Sequence, residues 1–132
     1  MRRLACLGLV LALLAGPAAA QEAKTPQDRA IGALTVFAVA YAAWIWEGRC
    51  HELDGGRRTE FQRLIEADLL GLNQVFEPRI VGAATGSGRD TGESAECGGK
   101  NAGLAAFGIE QASDVAATLK GLPPGYRITV TP

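Results

Sequence analysis

Cysteine and histidine stand side by side at Cys50 and His51, in the run WEGRCH from Trp46 to His51. The run is one residue short of C-x-x-C-H, the c-type haem attachment signal, because Glu47 holds the first cysteine position. Covalent attachment of that kind needs two thiols beside the histidine. His51 is the sole histidine and Met1 the sole methionine, so the usual second axial ligands are also missing. Zinc would call for three or four ligands, drawn from Cys50, His51, Cys97 and a carboxylate. Neighbours on a helix point about 100° apart, so Cys50 and His51 do not converge on one ion. HELDG opens like H-E-x-x-H but lacks the second histidine, and no C-x-x-C dithiol occurs. The expectation is no cofactor and no metal, with Cys50 and Cys97 joined in a structural disulfide.

Other chemistry is equally thin. GAATGSGR, Gly82 to Arg89, is glycine-rich like a phosphate-binding loop, but Ser87-Gly88 follows Gly86 where that loop needs Lys-Ser/Thr, and Gly82 and Gly86 are one residue too close. Ser87, Ser94 and Ser113 lie outside any G-x-S-x-G context. Glu47, Glu52, Glu66 and Asp68 form no spacing that specifies an acid/base pair. The chain reads as a protein without catalytic residues.

The leader explains why a disulfide is expected. Arg2 and Arg3 precede an apolar run from Leu4 to Leu14, and Ala18 to Ala20 end before Gln21. Positive start, apolar stretch and small-residue site in that order read as a cleaved Sec-type signal peptide over residues 1–20, and predict a periplasmic or secreted protein. Cys6 leaves with the leader, so Cys50 and Cys97 are the only thiols of the processed chain. In an oxidising compartment such a pair bridges. Closing a loop of about fifty residues stabilises by roughly 4 kcal/mol, a large share of a small domain's stability.

Charge excludes a further class. Residues 21–132 keep eleven Lys and Arg against fourteen Asp and Glu, a net of −3, with no basic patch beyond Arg57-Arg58. Nucleic-acid binding has neither a footprint nor a motif.

The elements that position these residues are helical. Thr25 caps a helix with Pro26 at its first position and Asp28 in its first turn, running to about Leu53. Ala30 to Trp46 carries no charge, so this helix is expected at the centre of a bundle; the alternative is a membrane span over residues 30–46. TEFQ, Thr59 to Gln62, reads as a capping box opening a second helix to about Phe76, with Phe61, Leu64, Ile65, Leu69 and Leu72 at helical spacing. Arg79 to Gly86 is a short third helix. Residues 86–103 hold six glycines and read as a long loop pinned by Cys97. A last helix spans about Asn101 to Leu119, with Leu104, Gly108, Ala112, Val115 and Leu119 as its stripe, and YRITVTP forms an extended tail.

The prediction is therefore one all-α domain over residues 21–132: a bundle of three to four helices, one disulfide and an extended C-terminal tail. Trp44, Trp46, Tyr126, Ile128 and Val130 are the candidate contacts for a partner or ligand. The leading functional expectation is an exported, non-catalytic accessory or binding module for another envelope protein. The alternatives are a membrane-associated accessory subunit and a carrier with an apolar cavity lined by Phe37, Tyr41, Trp44 and Phe61.

Overall fold

The computed structural model describes residues 24–129, and over them the chain is a four-helix bundle. The leader of residues 1–20 and Val130 lie outside the described residues. The helices are α1 (Pro26–Cys50), α2 (Gly55–Val75), α3 (Pro78–Ser94) and α4 (Leu104–Lys120), with a single 3-10 turn at Gly99–Asn101. No strand occurs among the described residues, and the tail runs extended after Gly125.

α1 begins as its sequence dictates. The Thr25 side chain accepts the Asp28 N–H, and the Asp28 carboxylate accepts the Thr25 N–H in return. The helix stops at Cys50 rather than Leu53, because His51 turns into the left-handed region at φ 51° and ψ 50°. Its inner face is made of small residues and large rings: Ala30, Ala33, Phe37, Ala40, Ala43 and Trp46 are all buried. α1 packs closely on both α3 and α4, while α2 leans chiefly on α4 and less on α1 and α3.

Two expectations about boundaries fail for identifiable reasons. α2 starts at Gly55, four residues before Thr59, because the Asp54 side chain accepts the Arg57 N–H at 2.8 Å and caps the helix there. Thr59 sits inside the first turns and donates its hydroxyl to the Gly55 carbonyl. The segment expected as a loop from residue 86 is helical as far as Ser94, so the connection is confined to residues 95–103. Glycine weakens an isolated helix, yet here it permits a contact that nothing larger could make. A Cβ on Gly88 would lie 2.7 Å from the Ala38 carbonyl oxygen, and one on Gly92 would lie 2.4 Å from that of Ala42. α3 thus lies directly against the backbone of α1. The same registers show α1 and α3 running in one direction. α4 runs against α1, since Gly108 meets Ala43 while Arg29 reaches the Gly121 carbonyl.

The core is one cluster. Trp46, Phe37, Phe61 and Leu72 are its largest fully buried side chains, joined by Ile65, Val81, Ile109, Val115 and Leu122. α1 is long and apolar enough to cross a membrane by length and composition, with a window of mean hydropathy 1.5, and 44% of that window is buried inside the bundle.

Candidate functional site

The disulfide forms as the spacing implies: Cys50, the last residue of α1, is bonded to Cys97 just beyond α3. The residues around it fasten the same corner. The Trp46 indole N–H donates to the Glu96 carbonyl at 2.9 Å. Arg49 donates to the carbonyls of Gly92 and Ala95, satisfying the end of α3 with a positive charge where the helix dipole favours one. Asn101 donates to the Glu96 carbonyl at 2.7 Å, and the Gly103 N–H reaches Glu52 Oε1 at 2.8 Å. Gly103, at φ 87°, allows that approach before α4 begins.

Glu47 takes the position where a haem-attachment cysteine would stand, and its use is structural. Its side chain is wholly buried, and its two oxygens accept the N–H groups of Glu52 and Leu53 and a guanidinium N–H of Arg58. Arg58 also lies 2.6 Å from His51 Nδ1. A guanidinium only donates, so this ring nitrogen is the acceptor and the other carries the proton. The arrangement closes the α1–α2 turn around the strained His51 backbone. Within it the sulfurs are bonded to each other and the Glu47 carboxylate accepts from three donors. No group of three or more His, Cys, Asp or Glu is arranged to hold a metal ion among the described residues.

The aromatic side chains expected to meet a partner or ligand are distributed differently. Trp46 is sealed in the core, which removes it from any contact surface. Trp44 is half-buried and meets Phe61 edge-on, with ring centroids 5.3 Å apart. Phe37 and Tyr41 pack at 5.8 Å, and the Tyr41 oxygen accepts from Arg89 at 3.0 Å. These rings form two pairs packed against the core. Tyr126 and Ile128 also turn inward, packing on the core, and the Ile128 N–H donates to the Val75 carbonyl at 2.8 Å. The tail is thereby fastened to the end of α2, with Arg127 donating to Gln74.

The surface feature that the sequence did not bring out is an apolar groove beside α1. Ala38, Val39 and Ala42 form its α1 wall, and Gly88, Thr91, Gly92 and Ala95 its α3 wall; Leu104 closes it from α4. Val39 is 44% exposed, and Phe107, one turn after Leu104, is 45% exposed. The polar groups in the groove are uncharged: Ser87, Thr91 and Asn101. The Gly88–Gly92 pair at helical spacing was the available signal, since two glycines on one helical face mark close packing as readily as a loop. Comparison of the chain with known protein families, with curated proteins and with solved structures finds no match.

Proposed function

We propose that the chain is an exported, non-catalytic helical module that binds another protein of the cell envelope through the groove between α1 and α3. The carrying observation is the open, uncharged groove with Val39, on its α1 wall, 44% exposed. An apolar cleft with a few uncharged polar groups suits an apolar helix or extended segment of a partner. The leader and the Cys50–Cys97 bridge support an extracytoplasmic address.

The test is capture from native envelope extract by the processed chain, with a photo-crosslinker in place of Thr91 on the groove wall. A discrete cross-linked protein, lost when unlabelled chain competes, is the expected result. No adduct, or adducts unchanged by competition, would refute the proposal. The apolar composition of α1 favours a second reading, a membrane-associated subunit. Carbonate washing separates the two: the module is released, whereas a spanning chain stays with the membrane.

A further inference from the structure

Asp68 is a feature that neither the stability of the bundle nor the groove explains. It sits on the inner face of α2 with Phe61, Ile65 and Leu72, and is 1% exposed. Neither carboxylate oxygen has a hydrogen-bond partner, and no cation lies within ion-pair distance, among the described residues. The register of its neighbours is apolar. Phe61 meets Trp44 on α1 and faces Gly108 on α4. Two turns further along α2, Asp68 is therefore level with Phe37 of α1 and Val115 of α4.

The charged groups on the surrounding elements point elsewhere. Arg29 of α1 reaches Gly121, and Asp114 of α4 lines a cleft with Asp28 and Arg29. Lys120 lies on the outer α2–α4 seam with Glu60 and Arg63. On α3, Arg79 pairs with Glu77, and Arg89 with Tyr41. On α2 itself, Glu66 accepts from Gln62. Burial alone raises the Asp68 pKa from 3.8 to about 7.

The rest of the scaffold is tied unequally. The disulfide, Trp46 and Arg49 fasten α1 to the end of α3, and Asn101 and Gly103 fasten the start of α4 to the same corner. α2 has no covalent tie beyond its chain ends, and its polar ties lie at those ends, Arg58 to Glu47 at one and Val75 to Ile128 at the other. We infer that α2 is a proton-controlled helix: loss of the Asp68 proton drives α2 off α1 and α4, while the stapled α1–α3 pair stays closed. The claim is independent of what the groove binds.

The direction follows from linkage. A carboxyl released to solvent ionises near 4, but the packed one keeps its proton to about 7. Over that interval the open form binds fewer protons, so opening becomes about tenfold easier per pH unit and levels off above neutrality. Hydrogen exchange of the processed chain, corrected for intrinsic exchange rates and read helix by helix from pH 5 to pH 8, measures this. The expected result is a rise of roughly fiftyfold in the opening constant of α2 between pH 5 and pH 7, with α1 and α3 amides unmoved. Asp68→Asn and Asp68→Leu should each abolish the dependence, and the second supplies a fully apolar side chain should the first pack poorly. A wild-type α2 with no pH dependence, a dependence retained in both variants, or an equal rise in all four helices would overturn the inference.

Discussion

Arg58 holds Nη2 3.2 Å from Oε1 of Glu47, a carboxylate with no exposure to solvent. The pair joins the last turns of α1 to the first turns of α2. It is the sole cation paired with Glu47 among the described residues, and the remaining acceptor capacity of Glu47 goes to the N–H groups of Glu52 and Leu53. A buried ion pair contributes little net stability against an apolar replacement of both partners, but removing one partner is costly.

Arg58→Met should therefore destabilise the fold by about 1–3 kcal/mol, at the low end of the range for broken buried pairs because Arg58 is itself partly exposed and two backbone donors remain. Glu47→Ala should cost at least as much, since it strands those donors in the turn. Urea midpoints of the two variants at pH 7 check the ordering. An Arg58→Met midpoint equal to wild type would mean the pair is a surface contact in solution.

Cys50 and Cys97 close a loop of 47 positions. In the chain-entropy model the bond stabilises by roughly 4 kcal/mol. Reduction, or Cys50→Ser with Cys97→Ser, should lower the urea midpoint accordingly. The variant should still retain α2 and α4 helicity by circular dichroism if it folds, because the ring cluster of Phe37, Trp46 and Phe61 is intact. Intact mass before and after alkylation without reductant checks the premise: no alkylation is expected.

The sequence was informative where local rules and packing agree. Thr25, Pro26 and Asp28 announced α1, and the reciprocal capping bonds are present. The inner face of α2 was visible in Phe61, Ile65 and Leu72. It went wrong where a residue type has two physical uses. Thr59 read as the cap of the second helix, yet Gly55 and Gly56 form its first turn because Asp54 supplies the cap. Gly88 and Gly92 read as a loop, yet their missing side chains let α3 touch the α1 backbone. Trp46 read as a candidate contact residue because its burial depends on the fold of residues 95–103 around it. Asp68 lies at helical spacing from Phe61 and Leu72, and that spacing was the signal of its burial.

Glycine substitutions along α3 separate those two uses. Gly82 has open space at its missing Cβ, so Gly82→Ala should stabilise by about 0.5–1 kcal/mol through helix propensity alone. Gly92→Ala would force α3 off the Ala42 carbonyl and should destabilise by about 1–3 kcal/mol. Thermal melts of the two single variants, shifting in opposite directions, are the expected outcome. Equal shifts would show that α3 does not lie against α1 as described.

The groove makes a prediction that separates binding from folding. Val39→Glu alters a groove side chain that is 44% exposed, so stability should move by less than about 0.5 kcal/mol. A charge in an apolar contact surface, by contrast, costs a central position about 2 kcal/mol or more, roughly thirtyfold in affinity. Leu70→Glu is the matched control: Leu70 is 66% exposed on α2 and does not line the groove. Capture of the envelope partner, titrated against each variant, should fall for Val39→Glu and hold for Leu70→Glu. A uniform fall would point to general loss of solubility, and no fall would place the partner on another face. Only the selective pattern ties recognition to the seam where Gly88 and Gly92 let α1 and α3 meet.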